Sequence, residues 1–214
     1  IYKMDYEVMV DYHKSKNADV TIATFNVSEE EASRFGVVLS NDDGTVTEFE
    51  EKPEHPRSTK ASMGIYIFSW SVLKEALEIL SDQPECDFGK HIIPYIHEQG
   101  NKVVAYEYKG YWKDVGTISS FWQSNMDMID YDKGMNLAES TWKIFYRHEP
   151  RHPHFIGNEV ELRNCLIAEG CDIHGSVENS VIFGNVTVEK GAIIRDSVVM
   201  PNTVVKAGAM VNYS

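Results

Sequence analysis

The sequence predicts an α/β segment followed by a parallel β-helix, and three observations predict it. Over residues 1–133, helical spacing of apolar residues alternates with β-branched, strand-like runs. From Leu162 to the end, apolar residues recur at six-residue intervals, as in a coil whose sides are one hexad each. Between them, residues 134–161 lose all periodicity and collect prolines and basic side chains, as a linker does. The expected organisation is therefore 1–133, linker 134–161, and β-helix 162–214.

A chain of 214 residues has ample core for this arrangement. Its formal net charge of −13 would repel a phosphate backbone, which speaks against a nucleic-acid partner. Three cysteines are too few and too irregularly spaced for a disulfide framework or a zinc site. No run of eighteen apolar residues exists, and the start does not resemble a signal peptide. A soluble, cytoplasmic protein with no membrane partner is expected.

In order, Met4, Val8, Met9 and Tyr12 mark a first helix, closed by Lys14 and Lys16 where cations suit the helix dipole. Ala18 to Val27 reads as a buried strand. Ser28 and Glu31 form a capping box for a short helix before the strand at Gly36-Val37-Val38. Gly36 fits two readings, a tight strand entry or a close backbone approach to a ligand. Asn41-Asp42-Asp43-Gly44 is a hairpin turn rather than a metal site, because Asp-Gly tolerates positive φ.

The hairpin's second strand delivers Glu51-Lys52-Pro53, a polar loop follows, and Ser62 stands just before the next strand. A carboxylate, an ammonium and a small hydroxyl facing one space suit a phosphorylated sugar: the carboxylate accepts from hydroxyls and the ammonium meets the phosphate. Alone, such a tripeptide is usually a solvated turn. Ser71 to Leu80 is helical, with apolar residues at 72, 73, 76, 77 and 80. Asp87-Phe88-Gly89 matches a kinase metal-binding signature but lacks its companion motifs. Asp87 is expected to cap the helix carrying Ile92, Ile93 and Ile96, with Phe88 packed inward. After a strand at 102–108, Asp114 stands between aromatic residues and a Gly-Thr helix entrance, ahead of an amphipathic helix from Ile118 to Ile129. Spacing alone favours a capping or turn aspartate there; a Mg²⁺ ligand is the functional alternative.

In the linker, Lys143, Arg147, His148, Arg151, His152 and His154 form a basic cluster that is either a solvated connector or an anion site. In the repeat region Ile182, Val188, Ile194 and Met200 form one row, and Val186, Ala192, Val198, Val204 and Met210 another. Ile167 with Cys171 and Ile173 with Val177 repeat the pattern upstream, with three extra residues before Ile182.

Glu-Lys-Pro, Ala-Ser-Met-Gly, Asp-Phe-Gly-Lys and Tyr-Trp-Lys-Asp-Val-Gly-Thr, in this order and ahead of hexads, resemble the ADP-glucose pyrophosphorylases, the glucose-1-phosphate adenylyltransferases of bacterial glycogen synthesis. The resemblance covers essentially the whole chain. It implies a Rossmann-like, GT-A-like nucleotidyltransferase segment and a left-handed β-helix. It further implies that Lys52 binds the phosphate of glucose 1-phosphate, that Glu51 and Ser62 contact sugar hydroxyls, and that Gly36 lies against the sugar nucleotide. Asp114 is similar to a metal-binding carboxylate of the family, so that Lys52 and Asp114 carry the catalysis with Mg²⁺. The opening residues resemble those that follow a Gly-Asp-His motif. The family's glycine-rich nucleotide loop and its upstream aspartate are then expected outside this chain, and the chain alone is expected to be inactive. The substrates implied are ATP and glucose 1-phosphate, and the assembly a homotetramer or a heterotetramer with a related subunit. Phosphorylated metabolite effectors are implied near the domain junction, with Arg147, His148 and Arg151 as the first anion site to test. Two alternatives stand beside this: a pyrophosphorylase for another nucleotide such as UTP or dTTP, and a non-catalytic regulatory subunit.

Overall fold

A computed structural model describes residues 1–130, 132–145, 147 and 150–214. The chain forms two compact units, residues 4–110 and residues 1–3 with 111–214.

In the first unit, α1 (Tyr6–Ser15) is capped by Asp5, whose side chain accepts from the Glu7 N–H. It leads to β1 (Val20–Asn26), the short α2 (Glu29–Ala32) and β2 (Gly36–Ser40). Ser28 caps α2 by accepting from the Glu31 N–H, as the capping box predicts. Next come β3 (Val46–Glu51), β4 (Lys60–Phe68) and α3 (Trp70–Leu80). A π-helical turn at Phe88–Ile92 runs into α4 (Ile93–Glu98), and β5 (Val103–Glu107) ends the unit.

The sheet order is β3-β2-β4-β1-β5, with β1 and β5 parallel and the other pairs antiparallel. The hairpin turn is where the sequence puts it, with Gly44 at φ +86°. Its tip meets β5, where Thr45 bridges Val104 and the Ala105 N–H donates to Gly44 O at 2.8 Å. Val20, Ile22, Val103, Ala105 and Val38 form one face of the core with Ala76, Leu80, Ile92, Ile93 and Ile96 from the helices. Alternation turns Thr21 and Tyr106 to the opposite face. There α1 rests on them through a His13–Thr21 hydrogen bond of 2.8 Å and an edge contact between Tyr12 and Tyr106.

The second unit holds α5 (Ile118–Ile129) and a parallel β-solenoid of β6 (Phe155–Ile156), β7 (Leu162–Ile167), β8 (Asp172–Ile173), β9 (Ser176–Ile182), β10 (Thr187–Val188), β11 (Ile193–Arg195), β12 (Val198–Val199), β13 (Val204–Val205) and β14 (Met210–Asn212). The pairing of β6 with β8 brings Phe155 and Ile156 into the first coil, ahead of the expected boundary at Leu162. Three inward rows stack: Ile156, Ile173, Val188 and Val205; Val177, Ile194 and Val211, with the exposed Leu162 in register ahead of them; Ile167, Ile182 and Val199.

These rows correct the hexad reading after Ile194. Ile182, Val186, Val188, Ala192 and Ile194 are buried, but Met200, Val204 and Met210 are each more than half exposed. Val199, Val205, Val211 and Ala209 take the inward positions instead. The reason is one short side: the chain advances five residues, not six, from Ile194 to Val199, so equivalent corners recur after 17. That short side turns at a left-handed residue: Asn164, Asn179, Asp196 and Tyr213 have φ between +44° and +50°. The amides ladder across coils, Asn164 Nδ2 donating to Asn179 Oδ1 at 2.9 Å and Asn179 Nδ2 to Asp196 Oδ1 at 2.6 Å. Asn and Asp tolerate this conformation best among residues with a Cβ. The next residue in each coil is small: Ser180 and Ser197 are fully buried, and Ser180 Oγ accepts the Ser197 N–H at 3.1 Å.

Candidate functional site

Strand register places three of the expected sugar-site residues on one transverse row. Gly36 pairs with Glu51, and Ser62 pairs with Thr24. The antiparallel partners Val37 and Ala61 put Gly36 opposite Ser62, and Thr24 pairs with Glu107. The row Glu51, Gly36, Ser62, Thr24, Glu107 thus crosses all five strands. It lies toward the carboxyl ends of the parallel pair β1 and β5, the end at which open α/β sheets bind ligands.

The backbone at Gly36 bears on the first of its two readings, the tight strand entry. Its φ is not left-handed, so no tight turn requires it. A Cβ at Gly36 would stand 2.6 Å from Phe49 Cζ and 2.7 Å from Glu51 Oε2. A Cβ at Gly89 would stand 2.6 Å from the same Glu51 oxygen. Glu51 therefore lies in a slot between two bare backbones, its side chain mostly buried.

Lys52 follows with φ +48°, a left-handed conformation uncommon for a residue with a Cβ, and it precedes Pro53, which restricts it further. Its N–H donates to Phe35 O at 3.1 Å, fixing the strained turn. The ammonium stays 3.9 Å from Glu51 Oε1 with most of the side chain in solvent. Strained backbone held by surrounding structure is a mark of functional positions. The loop that follows is tied back at its far end, where the Arg57 guanidinium bridges Glu48 and Glu50, with Nε to Glu50 Oε1 at 2.7 Å.

Ser62 does not sit before a strand, as expected, but inside β4, because Lys60–Phe68 pairs continuously with β1 around a bulge. Ser62 opposes Thr24 and Tyr66 opposes Ile22, so one residue of β1, Ala23, faces three of β4. Gly64 supplies the bulge at φ +70°. Four residues of regular strand span about 13 Å. The bulge instead brings Tyr66 Oη to 3.3 Å from Ser62 Oγ.

Sequence reasoning missed Tyr66 and understated the Asp87 turn. Burial raises the Tyr66 phenol above its ordinary value; the Ser62 hydrogen bond acts the other way, and the Glu51 and Asp87 carboxylates add to the rise. It remains a hydrogen-bond donor at neutral pH. Asp87 caps the π-helical turn as predicted, Oδ1 accepting from Gly89 N–H at 2.8 Å and Lys90 N–H at 2.9 Å. The Lys90 N–H first, then that of Gly89 and the nearby charges of Lys90 and His91, hold its carboxyl below the usual range against a partial desolvation effect. Both bonds fall on one oxygen, which leaves the other as an acceptor.

Phe88 corrects the inward-packing expectation. It is 41 % exposed and stacks on Tyr66 at 6.0 Å with an interplanar angle of 18°. The cause is the π-helical turn, which rotates this residue off the apolar stripe that Ile92, Ile93 and Ile96 continue. The only sequence signal for this cluster is Asp87-Phe88-Gly89 itself, whose glycine makes room for Glu51. Glu51, Ser62, Tyr66, Asp87 and an exposed ring together form one polar cluster with an aromatic platform, a wall to which a ligand can be brought. Such a wall can hold a polyhydroxylated ring, with Lys52 at its edge for an anionic substituent.

Asp114 belongs to the second compact unit, where it is exposed on the loop between Trp112 and α5. It does not cap α5; Thr117 does, in a reciprocal capping box with Ser120. Its carboxylate lies along the backbone at Gly116, where a Cβ would stand 3.1 Å from Oδ2. Among the described residues no group of three or more His, Cys, Asp or Glu forms a metal cluster. One carboxylate on an open loop suits Mg²⁺, which takes one or two carboxylates and completes its shell with phosphate oxygens and water. On the same loop Tyr111 Oη donates to Asp127 Oδ2 at 2.9 Å, and burial, then Asp127, raises its phenol far above the ordinary range.

Of the expected anion site, His148 lies outside the described residues. Arg147 is exposed. Arg151 runs along the solenoid backbone, its Cδ 3.3 Å from where a Gly170 Cβ would stand, and a side chain at Gly184 would collide with its guanidinium. No helix among the described residues is long and apolar enough to cross a membrane.

The nucleotidyl transferase family model matches residues 1–131, and the model for a GlmU-like C-terminal hexapeptide region matches 154–214. The chain is 54 % identical over 205 residues to a glucose-1-phosphate adenylyltransferase of Clostridium perfringens, covering 95 % of this chain and 52 % of that protein. It is 55 % identical over 190 residues to one of Lachnospira eligens, covering 89 % and 45 %. With that of Bacillus mycoides it shares 49 % over 203 residues, covering 94 % and 54 %. The chain spans about half the length of the curated relatives it matches. It belongs to the nucleotidyl transferase family and carries a hexapeptide solenoid behind that segment.

Proposed function

We propose that this chain is the sugar-phosphate-handling part of a glucose-1-phosphate adenylyltransferase, which converts ATP and α-D-glucose 1-phosphate to ADP-glucose and pyrophosphate for glycogen synthesis. The observation that carries the reading is the row Glu51, Gly36, Ser62, completed by Tyr66 and edged by the strained Lys52. The names of its relatives support it.

In this reaction a phosphate oxygen of the sugar attacks the α-phosphorus of ATP. The new P–O bond forms as the α–β bridge breaks, and the electron pair leaves on pyrophosphate. No side-chain nucleophile is needed, so positioning and charge neutralisation supply the catalysis. Lys52 neutralises the attacking phosphate, while Glu51, Ser62 and Tyr66 orient the glucosyl hydroxyls and Phe88 lies against the ring. Asp114 would hold Mg²⁺, which when bound supplies charge for the phosphate oxygens.

The same reading places the protein in the cytoplasm, as a homotetramer or a heterotetramer with a related subunit. The outward apolar residues Met200, Val204 and Met210 support a contact made through the solenoid. Phosphorylated effectors would bind at Arg147, His148 and Arg151. Assaying the full-length protein with glucose 1-phosphate against ATP, UTP and dTTP tests the function. Preferred turnover of ATP is expected. Preference for another nucleotide would move the assignment within the family, and no turnover with any would leave a regulatory subunit.

A further inference from the structure

Asp114 stands on a stretch with no helix or regular strand, yet a carboxylate that is to meet a metal and a phosphate needs a fixed position. The loop is fastened at several points within its own unit. Trp112 bridges Tyr2, and the Lys113 N–H donates to Ile1 O at 3.0 Å. Thr117 starts α5 with both hydrogen bonds of its capping box, 3.0 and 3.1 Å. A further fastening is not local. Tyr111, at the loop's entrance, reaches 16 residues along the chain to Asp127 on the third turn of α5. Asp127 has both oxygens engaged, Oδ2 by Tyr111 and Oδ1 by Gln123 Nε2 at 2.9 Å. The helix that carries Asp127 is itself held to the solenoid, since Trp122 Nε1 donates to Asp196 O at 2.8 Å at one of the left-handed corners.

We infer that Asp127 is a positioning residue that, through the Tyr111 hydroxyl, fixes the loop presenting Asp114. The bond to Tyr111 joins the loop's entrance to the last turn of the helix that the loop's exit begins. The loop that carries Asp114 is thereby closed into a ring. The inference rests on the proposed role of Asp114 as metal ligand.

The test uses Asp127→Ala, Asp127→Asn and Tyr111→Phe in the full-length protein, with Asp114→Ala beside them. Amide hydrogen exchange over residues 112–116 reads the loop, and Mn²⁺ binding by electron paramagnetic resonance, with the Mg²⁺ requirement of turnover, reads the metal. Exchange and the metal requirement are both expected to rise about tenfold in Asp127→Ala and Tyr111→Phe, the usual scale for a residue supporting a ligand. The KM for glucose 1-phosphate should stay within about twofold. Asp127→Asn, which keeps an acceptor for Tyr111, should recover most of the loss. Unchanged exchange in folded Tyr111→Phe and Asp127→Ala would overturn the inference. Faster exchange in those variants, with Mn²⁺ binding unaltered even by Asp114→Ala, would uphold the positioning role and sink the metal role of Asp114.

Discussion

The sheet unit and the solenoid build order by opposite means. In the solenoid each residue's place follows from its neighbour one coil away: inward rows, left-handed corners and buried serines repeat every 17 residues once the spacing settles. In the sheet, each feature of the proposed sugar-site row is an exception made once. A bulge at Gly64, a strained Lys52, a π-helical turn at Phe88 and two bare glycines each occur where regular structure would have placed the side chain elsewhere. Repetition gives a stable scaffold that tolerates outward changes; single exceptions give a site that fails at single positions.

The largest effect should therefore come from Gly36→Ala. Its Cβ would need Phe49 and Glu51 to move from 2.6 and 2.7 Å. Overpacking of this kind costs about 1–3 kcal/mol, and displacing Glu51 should weaken glucose 1-phosphate binding about tenfold. Thermal unfolding and substrate titration measure the two. If both are unchanged, the slot around Glu51 is not tight.

A second comparison lies within the solenoid. Val199→Ala should cost about 2 kcal/mol, since Val199 fills an inward row, whereas Met200→Ala should stay within about 0.5 kcal/mol. Strict hexads predict the reverse order, so denaturant melts of the two variants decide whether the short side is real.

The smallest effect is a pH dependence. The Asp87 carboxyl is held below its ordinary value of 3.8, so its contribution is present above that value and lost as the pH falls through and below it. Asp87→Asn should flatten the acid limb of the thermal stability profile slightly; an identical limb would mean its cap bonds are equally strong in the protonated form.

Much of this was legible in the chain itself. Capping at Ser28 and Asp87, the Asp-Gly hairpin and the run of helices follow from local chemistry, and local chemistry decides them. Glu51, Lys52, Gly36 and Ser62 were legible as candidates because a charged strand end is a local signal too. Tyr66 was not, since its approach to Ser62 depends on a bulge that a nine-residue β-run with one glycine does not announce. Phe88 was misplaced because a π-helical turn breaks the 3.6 spacing by which an inward face is judged. Met200 and Met210 were misplaced for a related reason: a hexad count cannot see that one corner takes five residues when an asparagine or aspartate adopts the left-handed conformation.

The proposed site depends most on Lys52, on its strained turn beside Glu51, meeting the phosphate of the sugar substrate. The most direct measurement is the steady-state kinetics of full-length Lys52→Ala with glucose 1-phosphate varied at saturating ATP. The KM should rise about tenfold or more with kcat reduced far less, since a ground-state phosphate contact is lost. An unchanged KM would contradict it.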